Sequence, residues 1–278
     1  MSLDWPALIV AVAPNGARRS KADHPALPLT AAEIGREAAR CRDAGAAIIH
    51  LHVRDRDGRH LLDADAYREA IAAVRRAAGD EIIIQVTTEA AGRYAPETQR
   101  AVMRELHPEA LSLALGEMIA NAEAEREAAA FLAWLAAERI LPQYILYAPD
   151  EIARYRDLRA RGVIPGERHF LLFVLGRHGS GESAPRDLLP FVMARDADPS
   201  DPSPWAACAF GARESACAMT AAALGGHVRV GFENNLRLAD GRLAPDNAAL
   251  VAQARDGAAI LGREIASAAT ARDMLWAP

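Results

Sequence analysis

The six residues His50-Leu51-His52-Val53-Arg54-Asp55 are the segment of the chain best equipped for chemistry. The β-branched, apolar setting predicts a strand, and side chains two apart on a strand project to the same side. His50 and His52 then share a face, and Arg54 continues it toward the C-terminal end. Two neighbouring imidazoles suit a divalent metal, typically Zn²⁺, which accepts nitrogen and carboxylate donors. A single strand histidine is more often a satisfied core residue; the pair at one strand end, followed by Arg, favours the metal. Two ligands do not complete a site. Glu233, which ends the later β-rich run Val228-Arg-Val-Gly-Phe-Glu233, is the candidate third. Two histidines and a glutamate with an open fourth position form a catalytic arrangement able to polarise a carbonyl.

Other residues join by position. Arg229 lies four before Glu233 and is expected on the same face. A buried arginine is costly unless paired, so it is either a structural ion-pair member or the holder of an anionic group. Gln85 and Thr87 share a face of their own strand and offer neutral polar groups, whereas Thr88 points the other way or into the loop. His24, His60, His107 and His169 read as loop or element-end residues, and His227 begins its strand, the wrong end for catalysis. The loop Gly176-Arg-His-Gly-Ser-Gly181, with Arg177 and His178, reads either as a phosphate cradle built on backbone N–H groups or as a Gly-rich surface turn.

These residues need a scaffold, and the sequence describes one. Apolar runs begin at Ala7, Ile48, Glu81, Ala110, Gln143, His169, Trp205 and His227, and a helical, Ala/Arg/Glu-rich stretch follows each. Thr30-Ala-Ala-Glu33 has the capping-box spacing and opens a helix that Gly45 stops. The runs are nearly continuous in apolar residues, as in the strands of a sheet covered on both faces. Eight strand–helix units in 278 residues predict a single α/β (β/α)₈ TIM barrel over 1–278. The alternative, a doubly wound open sheet, is weakened because no Gly-x-Gly-x-x-Gly follows the first run. In a barrel, even-numbered strands fill common interior layers, which places the second and eighth runs together at the C-terminal face where such enzymes keep their sites.

Composition excludes several classes. The 32 Lys+Arg against 37 Asp+Glu give a net charge of −5, with no basic run for nucleic acid. Hydrophobic residues are 51%, too many for a disordered chain. Three cysteines, Cys41, Cys208 and Cys217, with no Cys-x-x-Cys, describe no disulfide framework. The N-terminus carries an acid where a signal peptide needs a basic region, and the run Ala7–Pro14 is too short to span a bilayer. The expectation is a cytoplasmic protein with reduced thiols and no membrane or nucleic-acid partner.

Four segments together resemble the β-keto acid cleavage enzyme family: Gly16-Ala17, His50-Leu-His-Val-Arg54, Gln85-Val-Thr-Thr88 and Val228-Arg-Val-Gly-Phe-Glu-Asn-Asn235. The resemblance covers nearly the whole chain in order and spacing. It implies a TIM barrel that binds one divalent metal, usually zinc, commonly as a homotetramer. It also implies condensation of a β-keto acid with acetyl-CoA, giving acetoacetate and a new CoA thioester. By matching, His50, His52 and Glu233 are the implied metal ligands, Arg229 the catalytic arginine and Thr87 a hydroxyl near the substrate. Arg54, Gln85 and Thr88 are expected to contact substrate.

Two residues depart from that pattern. Many members carry Asp after the ligand Glu, in a position implicated in proton handling; here it is Asn234, which cannot act as a base. Many carry Glu-x-Glu after the proline of the fifth unit; here the stretch is Pro142-Gln143-Tyr144-Ile145. Arg18, after Gly16-Ala17, points to an anionic or polar substrate tail or to CoA phosphates, where some relatives have an acid that suits an amine. The competing readings are a CoA-independent metal-dependent aldolase or hydrolase, and a catalytically inactive metal-binding barrel.

Overall fold

The structure, a computed structural model, describes residues 5–276 except 178 and 180. Its strands in chain order are β1 (Val10–Val12), β2 (Ile48–Leu51), β3 (Val53–Arg54), β4 (His60–Leu61), β5 (Ile83–Thr87), β6 (Ala110–Ala114), β7 (Leu141–Leu146), β8 (Phe170–Leu175), β9 (Trp205–Ala209) and β10 (His227–Val230). Eight of them close a barrel in the order β1-β2-β5-β6-β7-β8-β9-β10, every neighbouring pair parallel. The strand–helix alternation therefore builds the barrel expected of it.

The helices α1 (Ala31–Ala44), α2 (Ala64–Ala78), α3 (Pro96–Leu106), α4 (Leu115–Met118), α5 (Ala122–Ala137), α6 (Asp150–Ala160), α7 (Leu189–Asp196), α8 (Glu214–Ala223), α9 (Asn247–Ile260) and α10 (Ala268–Trp276) fill the connections and the C-terminal segment. Thr30 caps α1 in a full capping box with Glu33, and Gly45 ends it in the left-handed conformation, φ 118°. The helical stretch after the sixth apolar run starts as a 3₁₀ turn, Pro185–Leu188, before α7. Pro190 has no N–H to return to Arg186, which separates the two segments.

Strand parity divides the core into two layers. Outward residues such as Val10, Val12, Ile49, Leu51, Ile84 and Val86 pack against the helices. Inward residues Ile9, Ile48, Ile83, Leu141, Phe170 and Leu172 fill the N-terminal half of the barrel. The segment after Arg263 packs Ala266, Ala268, Ala271 and Leu275 against that inner cluster, so α10 seals the bottom. Two residues further along the same inward faces the chemistry changes to Gln85, Thr87, Ser112, Gln143 and Arg229, all buried. A polar layer thus sits on an apolar plug, at the end where barrel enzymes place their sites.

Both site strands stop earlier than their apolar runs. The second leaves the barrel at His52, whose N–H donates to Asn15 Oδ1 (3.2 Å) and whose carbonyl accepts from Asn15 Nδ2 (2.9 Å). Beyond it β3 pairs antiparallel with β4 in a small hairpin. The eighth ends at Val230, because Gly231 takes φ 135° with its backbone against Ala13. A Cβ at Gly231 would lie 2.5 Å from the Ala13 carbonyl oxygen, so only glycine permits this turn. Glu233 sits in the turn rather than on the strand, its N–H bonded to Ala13 O at 3.0 Å.

Candidate metal centre and catalytic cavity

His50, His52 and Glu233 converge, all three buried, with donor atoms within 4.8 Å of one another. His50 Nε2 and His52 Nε2 are 3.1 Å apart, and Glu233 Oε2 lies 3.6 and 3.4 Å from them. Hydrogen bonds behind the rings fix which atoms carry protons. Gln85 Nε2 donates to Gln143 Oε1 (3.2 Å), so Gln85 Oε1 faces His50 Nδ1 at 2.8 Å and accepts its proton. His50 Nε2 is left as a lone pair. His60 Nε2 donates to the Glu89 carbonyl (2.8 Å), which leaves His60 Nδ1 as the acceptor for His52 Nδ1–H at 3.5 Å. His52 Nε2 is then also a lone pair.

Two lone pairs 3.1 Å apart and a buried carboxylate oxygen without a hydrogen-bond partner, Glu233 Oε2, repel one another unless a cation lies between them. The separations of 3.1–3.6 Å match a tetrahedral face whose ligand bonds are about 2.0–2.1 Å long. The residues therefore fit a divalent metal with an open remaining position. Burial keeps His50 neutral, lowering its pKa to about 3. Burial opposes ionisation of Glu233, but the Arg229 guanidinium outweighs it and holds the carboxyl well below its usual range.

The wall around this centre is tightly tied. Arg229 Nη2 donates to Glu233 Oε1 (3.0 Å), Cys208 Sγ (3.3 Å) and Asn234 Oδ1 (3.4 Å), while its buried Nε has no partner. Glu214, buried, accepts from Gly231 N–H (3.0 Å) and Asn235 Nδ2 (3.2 Å), fixing the turn that carries Glu233. Burial raises the Glu214 pKa to about 8. Gly16 has φ 60°, and a Cβ there would lie 2.5 Å from Glu233 Cγ, so the first loop lies directly on the acid.

Above the metal ligands a cavity of about 440 Å³ is lined by Arg18, Thr87, Thr88, Glu89, Ser112, Glu117, Tyr147, Arg177, Arg229 and Glu233, among others. Thr87 Oγ1 accepts from Glu89 N–H (3.0 Å) and Ser112 Oγ (3.4 Å), which leaves its own proton for an acceptor in the cavity. Thr88 also lines the cavity, although its hydroxyl donates to Ser112 O at 3.1 Å.

Three expected substrate or catalytic residues are placed differently. Arg54, expected to contact substrate, is not in the cavity wall. Its guanidinium donates to the carbonyls of Gly16, Arg19 (3.0 Å) and Gly58 (2.7 Å), because β3 has left the barrel and carries it beneath the first loop. Gln85 lies behind His50 rather than against the cavity. Asn234 is fully buried and sits under Arg229, its carbonyl accepting from Arg19 Nη2 at 3.2 Å. Arg177 lines the cavity and lies over the Tyr147 ring at 5.7 Å; His178 lies outside the described residues.

Sequence reading missed Asn15, His60, Glu89 and Glu214. His60 is the first residue of β4, an element end as expected, but it is buried and in contact with His52. The signal available was the turn Asp55-Arg-Asp-Gly58, which brings the chain back on itself: Asp55 Oδ1 accepts from Asp57 N–H (2.9 Å) and Arg59 N–H (2.8 Å). Partners of this kind typically change metal affinity by about 10–100-fold. His60→Ala is expected to weaken metal binding by that factor in competition with a chromophoric chelator. Unchanged affinity would show that His52 needs no such support.

The buried histidines also set acid stability. Burial lowers His50, His60 and His227 to about 3 from an ordinary 6.5. For groups with a depressed folded-state pKa, the stabilisation is complete above the unfolded value and is lost as pH falls to the folded one. Between pH 6.5 and 3 the metal-free protein should lose stability with each step of acid. His227→Gln, far from the metal ligands, should lower proton uptake on urea unfolding by about one in the middle of that window. No change in uptake would contradict the assignment.

Among the described residues, no helix is long and apolar enough to cross a membrane. Among known proteins, the chain is 36% identical over 275 residues to a 3-keto-5-aminohexanoate cleavage enzyme of Fusobacterium nucleatum, covering 96% of this chain and 97% of that one. It is 31% identical over 274 residues to a 3-oxoadipate:acetyl-CoA acetyltransferase of Cupriavidus necator, covering 97% and 95%. The fold resembles that of ObcA in its binary complex with oxaloacetate, with TM-score 0.74, 21% identity and 90% of this chain covered. This chain spans about two thirds of the length of ObcA, 67%. The model of the beta-keto acid cleavage enzymes matches residues 7–276, and with these relatives it shows that the chain belongs to that family.

Proposed function

We propose that this protein is a metal-dependent acyltransferase that exchanges a carbon–carbon bond between a β-keto acid and acetyl-CoA. The C2–C3 bond of the β-keto acid breaks, and its two-carbon acetate unit joins the acetyl group to give acetoacetate. The remaining acyl group leaves on the CoA sulfur as a new thioester. No net proton, oxidant or water is consumed. The observation that carries this reading is the convergence of three unshared donor atoms, of His50, His52 and Glu233, beneath a cavity holding Arg229 and Thr87.

His50, His52 and Glu233 would hold the metal, read as zinc from two imidazoles and one carboxylate. When bound, it supplies the positive charge that stabilises negative charge developing on the keto oxygen. Arg229, fixed on Glu233, Cys208 and Asn234, keeps its guanidinium charged and offers the unpartnered Nε to a carboxylate or oxyanion. The free Thr87 proton is a second donor, and Thr88 Oγ adds an acceptor to the wall. Arg18 meets the anionic parts of the reactants, the thioester phosphates among them. Asn234 supports Arg229 and takes no proton, so the acid that many relatives place there has no counterpart at this position.

The test is acetyl-CoA-dependent release of acetoacetate by zinc-loaded protein, with His50→Ala as control. Release that needs both the thioester and His50 supports the reading; release without acetyl-CoA, or undiminished in His50→Ala, overturns it.

A further inference from the structure

Among the described residues, the Arg54 guanidinium is bonded to main-chain carbonyls alone. Nε donates to Gly16 O (2.9 Å) and Nη1 to Gly58 O (2.7 Å). Nη2 donates to Gly16 O, Arg19 O (3.0 Å) and Asn15 O (3.3 Å). The acids whose charge acts on it, Glu89, Glu233 and Asp55, do so through space and not as ion pairs. A partly buried cation without a paired acid is costly, and what it obtains here is a fixed set of carbonyls.

Those carbonyls come from two separate segments. Asn15, Gly16 and Arg19 lie in the loop between β1 and α1, outside any helix or strand, so no regular ladder holds them. Gly58 closes the turn between β3 and β4, with its N–H on Asp55 O (2.9 Å). Arg54 itself stands on β3 opposite His60 of β4. One planar group thus joins the loop that lies on Glu233 to the hairpin that backs His52 through His60. The outer part of the loop has anchors of its own, Lys21 Nζ on Glu33 Oε1 and His24 Nε2 on Ala244 O, both 2.8 Å. The inner stretch depends on Arg54 and on the bond from Arg19 Nη2 to Asn234 O (3.2 Å). Ala17 and Arg18, the loop residues in the cavity wall, belong to that inner stretch.

We propose that Arg54 is a positioning residue whose guanidinium staples the first loop to the β3–β4 hairpin and thereby sets where Arg18 stands in the cavity. Its effect on ligand binding rests on the reading of Arg18 as the residue that meets the thioester phosphates; its effect on the loop does not. Arg54→Lys keeps the charge but sets three N–H groups on one nitrogen against four carbonyls. Arg54→Ala removes the group and leaves space that a free guanidinium ion can enter.

Two measurements on zinc-loaded protein test this. The first is tryptic cleavage after Arg18, Arg19 and Lys21, scored by mass spectrometry against cleavage after the exposed Arg186. The loop sites are expected to be cut about 10-fold faster in Arg54→Lys and Arg54→Ala, with the Arg186 site unchanged. Millimolar guanidinium should slow loop cleavage again in Arg54→Ala and leave wild type unaffected. The second is calorimetric binding of acetyl-CoA, which does not react without a β-keto acid. Arg54→Lys and Arg18→Ala should each weaken it about 10-fold, and the double variant should bind no worse than Arg18→Ala. Additive losses would show that Arg54 does not act through Arg18 and overturn the proposal. Loop cleavage unchanged in both variants, or indifferent to guanidinium in Arg54→Ala, overturns it as well. Zinc lost from both variants would assign Arg54 to the support of the metal ligands and likewise overturn it. Wild type that fails to bind acetyl-CoA refutes the proposed reaction, and the cleavage measurement then decides the role of Arg54 by itself.

Discussion

Arg229→Ala is expected to lower turnover by about 10²–10³-fold while the protein still binds metal, the loss typical of removing one preorganised donor to a developing oxyanion. The same change removes the partner of a buried carboxylate. Glu233 would keep its position between two imidazole lone pairs without the 3.0 Å ion pair that now favours its ionisation. Breaking one member of a buried pair costs about 3–5 kcal/mol, and the metal-free protein should show that loss in its urea midpoint. Bound metal offsets part of it, so the stability gap between wild type and variant should narrow on adding zinc. Arg229→Lys should not restore turnover, because one ammonium nitrogen occupied by Glu233, Cys208 and Asn234, the three partners of Nη2, leaves no second donor in place of the guanidinium Nε. Near wild-type kcat in Arg229→Ala would remove this residue from the chemistry.

Glu233→Ala and His50→Ala are expected to reduce metal affinity by at least about 10³-fold and to abolish turnover while leaving the barrel folded. Neither side chain is part of the apolar plug or of the helix-facing layer, so the far-ultraviolet spectrum and the unfolding cooperativity should be preserved. Glu233→Gln is the sharper variant. It keeps the shape and the acceptor toward Arg229 but removes the charge, and should still lose most of the affinity. Metal bound one-to-one by Glu233→Ala with wild-type affinity would show that the three donors are not the ligand set.

The part of this site that was legible in sequence is the part written in strand periodicity. His50 and His52 two apart, and the inward face of Arg229 on β10, follow from alternation along a strand. The barrel joins the two strands through β1, where Ala11 pairs with Ile48 on one side and Arg229 on the other. What alternation could not show is where each strand stops. Asn15 takes over the backbone of His52 and redirects the chain, so Arg54 holds the first loop instead of facing substrate. Gly231 ends β10 early, so Glu233 reaches the site from a turn that Glu214 and Asn247 support. Partners such as His52 and His60, or Gln85 and Gln143, depend on side-chain geometry between elements, and no spacing in the chain announces them. His60 read correctly as a loop or element-end residue, but its contact with His52 was hidden for that reason.

The central claim is the fate of one carbon atom, and a labelled substrate follows it. Zinc-loaded protein is given a β-keto acid carrying ¹³C at C2, with unlabelled acetyl-CoA, and the products are read by carbon NMR. The account predicts label at C2 of acetoacetate, with the shortened acyl group recovered as its CoA thioester. Label in free acetate would mean that water or free CoA takes the acyl group while the two-carbon unit is merely protonated, and that result would contradict it.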